Sequence, residues 1–162
     1  MELQLNNDFL EEICEPFDFN DPQYDPVDLS DSLTMLRHKY KGLGLAANQA
    51  GLRVRVISIR GIDSCLFNPR IVHSSDTQVS DVEGCLSYPG LSVKVPRAKE
   101  IRVRYTDALG QTHSEQYIDI TARIIQHEID HLDAIQFFDR AHWFHKERAA
   151  RKWKQIRRRI SK

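Results

Sequence analysis

Apolar residues recur at helical spacing in "DPVDLSDSLTMLRHKY" (25–40), where Leu29, Leu33, Leu36 and Tyr40 fall on one side. That period predicts a one-sided helix, begun by Asp25 as N-cap and Pro26 at the first helical position. "KGLGLAANQAG" (41–51) is punctuated by glycine and too irregular for a long element, so it reads as a loop. The period then falls to two. "RVRVISI" (53–59) and "EIRVRYT" (100–106) alternate β-branched with polar residues, and "SVKV" (92–95) and "SEQYI" (114–118) are shorter strand candidates. Asp107-Ala108-Leu109-Gly110 supplies turn chemistry between the second and the last of these.

Helical spacing returns in "DITARIIQHEIDHL" (119–132), with Asp119 in the N-cap position. Ile120, Ile124, His127 and His131 share one face, while Ile125, Ile129 and Leu132 form another. A helix apolar on more than one side belongs in the centre of a fold. A last helix is expected in "HWFHKERAARKWKQIRRRI" (142–160), with Trp153, Ile156 and Ile160 on one stripe and basic residues elsewhere. The predicted class is α+β: mixed, mostly antiparallel sheets around a central helix, with a further helix at the C-terminus.

Length and composition narrow this picture. The 162 residues suit one domain (1–162) ending in a basic helix over about 141–162, and no internal repeat or low-complexity linker divides them. No apolar run approaches the roughly 20 residues that span a bilayer, so no membrane association is expected. The start, "MELQLNNDFLEEICEPFDFND", is acidic and has neither the basic nor the apolar stretch of a signal peptide. Cys14, Cys65 and Cys85 are odd in number and irregularly spaced, which suits a reducing compartment better than a disulfide framework. Both features read as an intracellular, cytoplasmic protein, bacterial, phage-borne or organellar, and a monomer is expected. The formal net charge of +0 hides an asymmetry: residues 141–162 carry nine Lys/Arg against the single acid Glu147, leaving the other 140 residues net negative by eight. Such a split points to a polyanionic partner for the basic end.

The central helix carries H-E-x-x-H in "QHEIDHL" (126–132). Residues i and i+4 lie one turn apart on one face, so His127 and His131 can present ring nitrogens to one metal ion. Glu128, about 100° further round, can reach a water on such an ion and take its proton. Histidines inside a buried helix need partners for their polar nitrogens, and a metal supplies one. Two ligands do not hold an ion tightly. Downstream, His142, His145 and Glu147 are candidates for a third, but "DAIQFFDR" lacks the H-x-x-G-x-x-H continuation of one protease group. Upstream, "EGCLSYPG" sets Cys85 between Gly84 and Leu86, where the backbone can approach a ligand closely.

Three stretches in order, "GLGLAANQ" (42–49), "EGCLS" (83–87) and "QHEIDHL", together resemble the peptide deformylase family. The resemblance implies that Cys85, His127 and His131 hold one divalent ion. Thiolate plus two imidazoles suits Fe²⁺, Zn²⁺, Co²⁺ or Ni²⁺ rather than Mg²⁺ or Ca²⁺, and ferrous iron is the usual ion of the family. It also implies that Gln49 and the backbone N–H of Leu86 form an oxyanion hole. A well-placed donor there is typically worth about 2.7–4 kcal/mol as charge develops on the formyl oxygen. Glu128 would move the proton to the leaving amine. Gly42, Leu43 and Gly44 would lie along the backbone of an N-formylmethionyl nascent peptide paired as an added strand, with Gly84 beside it and Ile124 walling the methionine pocket. Glu83 and Arg97 would brace the cysteine loop, and Asp130 would make a structural hydrogen bond. The basic tail is similar to C-terminal helices that dock on the ribosome through phosphate contacts.

The match is dense from about Gly42 to Arg140 and thinner outside it. "LNNDFLEEICEPFDF" replaces the family's usual opening, and Asp133-Ala134 stands where members commonly have a residue followed by glycine. The deformylase reading has two rivals on the residues alone. One is a zinc endopeptidase using the same helix. The other is an RNA- or ribosome-binding module whose metal is structural, which predicts a closed four-ligand site where three protein ligands can be named.

Overall fold

A computed structural model describes the chain over residues 1–5 and 8–160; for Asp8, Arg159 and Ile160 the description is of the backbone alone. Asn6 and Asn7 of the divergent opening, and the last two residues of the basic tail, lie outside it.

Asp25 caps the first helix, α1 (Pro26–Lys39), its carboxylate accepting from Val27 and Asp28 N–H at 2.9 and 3.0 Å. Leu29, Leu33 and Leu36 are buried as their spacing predicts, whereas Tyr40 sits past the end as C-cap, exposed. The "GLGLAANQ" stretch is not merely a loop. It holds a short strand, β1 (Gly44–Ala46), and a 3-10 turn over Ala47–Ala50. Small residues had masked a strand of three positions.

Six more strands follow: β2 (Val56–Ile59), β3 (Leu66–Ser74), β4 (Gln78–Gly84), β5 (Ser92–Ala98), β6 (Glu100–Thr106) and β7 (Thr112–Ile118). The order β1-β2-β3-β6-β7 makes one five-stranded sheet, and β4-β5 makes a two-stranded one. Every ladder among the described residues is antiparallel, and the parallel element is reduced to an isolated bridge between Glu15 and Val54. β6 has the expected bounds; β2 starts at Val56 rather than Arg53, β5 runs on to Ala98, and β7 starts two residues early. β3 and β4 carry no clear alternation. In β3, Asn68 at φ 51° and Pro69 interrupt the period, and the pairing with β6 is bulged there. In β4 only Glu83 is buried.

The central helix, α2 (Asp119–Leu132), is buried along Ile125 and from His127 to Leu132. Asp119 does not cap it. Asp119 takes φ 51° as the chain turns out of β7 and donates its N–H to the Lys99 carbonyl, leaving Ile118 as N-cap with no side-chain bond. Ile125, Ile129 and Leu132 pack on Ile57, Ile59, Leu66 and Ile101 of the large sheet. Ile120 departs from expectation and stands exposed. The last helix, α3 (Trp143–Ile160), buries Ala149 and Trp153 and half-buries Ile156; the Ile160 side chain lies outside the described residues. Helices and antiparallel sheets together give the expected α+β class, with the motif helix at its centre. No helix of the described residues is long and apolar enough to cross a membrane.

Candidate active site

Three elements converge on one point. β4 ends in Gly84 and delivers Cys85, α2 supplies His127 and His131 one turn apart, and the 3-10 turn after β1 supplies Gln49. The Cys85 thiol, one nitrogen of His127 and one of His131 all lie within 4.8 Å of one another. No other group of three or more potential ligands occurs among the described residues. His142, just before α3, and His145 and Glu147 on it are exposed and take no part.

The ring orientations show that these donors fit a metal. His127 Nδ1 lies 3.0 Å from Glu83 Oε2, which fixes its tautomer and turns Nε2 inward. His131 Nε2 lies 3.2 Å from Cys85 Sγ. Its Nδ1 is buried with no hydrogen-bond partner. Burial and the neighbouring His127 hold His131 well below the usual histidine range. Burial also opposes charge on His127, but hydrogen bonds to Cys85 and Glu83 outweigh it and push that group up to about 10.

Glu83 holds this arrangement through four hydrogen bonds on its two oxygens. Besides His127 it accepts from Arg97 Nε and Nη2, each at 3.0 Å, and from Arg123 Nη1 at 2.6 Å. Burial raises its pKa, yet His127 and Arg97 lower it further, leaving the carboxyl at about 2. Arg97 also donates to Asp130, which takes Arg140 at 2.7 Å on its other side. Glu83 and Arg97 are thus a buried pair and not a surface one. Arg123, Arg140 and Asp130's place in the network were not legible in the motif, although an arginine within an apolar helix signals a buried acid partner.

Glu128 lies on the cleft floor. Burial pushes its carboxyl up to about 7, with the Glu83 charge adding and His127 opposing. Oε2 is buried without a partner, the state of a group kept for substrate or water. Gln49 has its oxygen committed, Oε1 accepting from Ala46 N–H at 2.9 Å, so the amide turns its NH₂ toward Ser87 Oγ at 3.1 Å and Cys85 Sγ at 3.4 Å. Asn48, not singled out by sequence, donates to the His131 carbonyl at 2.6 Å and ties the 3-10 turn to α2.

A cleft of about 450 Å³ opens above these groups. Gly42, Leu43 and Gly44 form one wall, Gly84, Cys85 and Leu86 another, and Ile120, Ile124 and Arg123 the third. A Cβ on Gly44 would meet Glu128 Cγ and Ile124 Cγ2, each at 2.7 Å. Only glycine lets the chain pass that close to the carboxylate. Every residue expected to touch substrate therefore lines one cleft, while His131 and Arg97 lie behind it.

The sequence model of the polypeptide deformylase family matches residues 3–147. The chain belongs to the polypeptide deformylase family. A peptide deformylase of Natranaerobius thermophilus is 46% identical over 110 residues, 64% of this chain and 69% of that protein. One from Brachyspira hyodysenteriae is 37% identical over 142 residues, 80% and 74% of the two chains. The solved structure of Arabidopsis thaliana peptide deformylase 1B with an inhibitor superposes with a TM-score of 0.89 at 30% identity, covering 99% of this chain and 92% of that one. A Plasmodium falciparum deformylase, also with an inhibitor, gives 0.85 at 29% identity over 97% and 99%. A deformylase is a metal-dependent enzyme acting on formylated peptides, and the Cys-His-His group of this chain is one that could hold an ion.

Proposed function

We propose that this one cleft removes the formyl group from N-formylmethionyl nascent peptides through Glu128, Gln49 and the Leu86 N–H, over an ion held by Cys85, His127 and His131. The observation that carries the assignment is Glu128: a buried carboxyl held near neutrality, one oxygen unpartnered, at the meeting point of ligands and cleft. A bound divalent ion would supply a water acidic enough to attack at neutral pH. Glu128 would take a proton from the attacking water as the C–O bond forms and give it to the nitrogen as the C–N bond breaks, releasing formate and a free amine. The Gln49 amide and Leu86 N–H donate to the formyl oxygen as its charge grows. Gly42 to Gly44 carry the peptide backbone, and Ile124 walls the methionine pocket.

The ligand set favours a borderline or soft ion, and we assign Fe²⁺, with Zn²⁺, Ni²⁺ and Co²⁺ as substitutes. We further propose a cytoplasmic, single-domain monomer, with the exposed basic face of α3 turned to the ribosome. Glu128→Gln should keep stoichiometric metal and the wild-type melting temperature while formate release from formyl-Met-Ala-Ser falls about 10²-fold or more. Full activity in that variant would remove the base from the mechanism. Cleavage of an unformylated peptide without formate release would restore the endopeptidase reading.

A further inference from the structure

The cleft mouth has a charge of its own. Apart from the thiol of Cys85 and the phenol of Tyr88, five titratable side chains line the cleft: Lys41, Glu83, Arg123, His127 and Glu128. Arg123 is tied to Glu83 at 2.6 Å, within the buried network that also holds Arg97, and His127 and Glu128 lie buried at the floor. Lys41 alone remains, exposed, with no ion pair among the described residues. Its direction is set by the backbone: φ is 55°, and the N–H groups of Lys41 and Gly42 are bonded to the carbonyls of His38 and Arg37.

On the other wall, Val82 stands in register with Lys94 across the β4–β5 ladder. Directly opposed residues share a face of a sheet, and Val82 lines the cleft. Lys94 therefore shares Val82's face of the ladder beside the cleft wall, exposed and likewise without an ion pair among the described residues. A body whose first 140 residues are net negative by eight thus has one lysine in the cleft wall and a second on the sheet face beside it.

Resting on the deformylase reading, we infer that Lys41 and Lys94 form a cationic rim that selects formylated peptides carrying Asp or Glu at the second to fourth residues. Gly44 abuts Glu128 and so marks the reacting end. Lys41 is three residues further along that wall, at most about 10 Å, the reach of three residues of extended peptide. Exposed charge pairs are worth little each, but two lysines acting on two side chains in a partly enclosed mouth give a measurable bias.

The test compares kcat/KM for formyl-Met-Ala-Glu-Glu-Ser, its Gln-Gln counterpart and its Lys-Lys counterpart with the metal-loaded enzyme. At low salt the acidic peptide should exceed the basic one by about tenfold, with the neutral peptide between them, and the ratio should shrink toward one in 0.5 M salt. Lys41→Glu with Lys94→Glu should reverse the order, and Lys41→Gln should weaken it without reversal. Equal rates for all three peptides at low salt would overturn the rim and leave deformylation standing. An acidic preference that persists in the double variant would overturn it as well. Formate release from none of the three peptides would instead bring down the underlying reading.

Discussion

At the scale of single residues, two positions show the backbone dictating chemistry. Ala134 follows α2 at φ 59°, in the left-handed region that costs an L-residue about 1–2 kcal/mol. Its N–H bonds the His131 carbonyl at 3.3 Å, closing the helix in the position where glycine usually ends one. The sequence departure at Asp133-Ala134 is therefore a strained helix stop. Ala134→Gly should raise stability by about 1 kcal/mol, read as a higher denaturation midpoint, with formate release unaltered. Gly44 is the converse case, since a methyl there must displace Glu128 or Ile124. Gly44→Ala should lower kcat by at least about tenfold while metal content stays stoichiometric; unchanged kcat would mean that Glu128 has freedom the packing denies it.

At the scale of elements, the ligand helix was legible and its supports were less so. H-E-x-x-H declares itself because four-residue spacing is fixed by helix geometry. The β4 strand that leads into Cys85 did not, because six of its seven residues are exposed and no alternation survives. The Glu83 network joins residues as far as 44 positions apart, and no local pattern encodes it. α3 was read for charge and for an apolar stripe, but not for what the stripe covers. Trp153 packs on Tyr88 with ring centroids 4.9 Å apart, and Tyr88 lines the cleft three residues after Cys85. The Tyr88 hydroxyl donates to Gln136 Oε1 at 2.6 Å, and Gln136 reaches the Leu10 carbonyl at 2.7 Å. Helix, ligand loop and N-terminal segment thus share one satellite core. Trp153→Ala should cost about 3–5 kcal/mol. It should also raise KM for formyl-Met-Ala-Ser, because Tyr88 loses the ring that holds it. A variant destabilised with KM unmoved would make α3 a brace only.

At the scale of the whole molecule, burying Ala149, Trp153 and half of Ile156 leaves the remaining faces of α3 to its cations. Arg148, Arg151, Lys152 and Lys154 are exposed, while Lys146 is tied to Asp139 at 2.8 Å. The nine basic residues of the tail therefore oppose a body net negative by eight, which favours approach of a polyanion from the α3 side. If α3 docks on the ribosome as proposed, affinity should fall log-linearly with salt, since each phosphate contact releases counterions. Replacing Arg151, Lys152 and Lys154 together by Gln should reduce that slope by about 2–3. These three side chains do not line the cleft, so deformylation of a free peptide should match wild type. Co-sedimentation with ribosomes across a salt series measures the first effect and a formate assay the second. A slope that does not change would place the ribosome contact elsewhere, and a parallel loss of activity would mean that the tail holds the cleft in shape through Tyr88 as well as carrying charge.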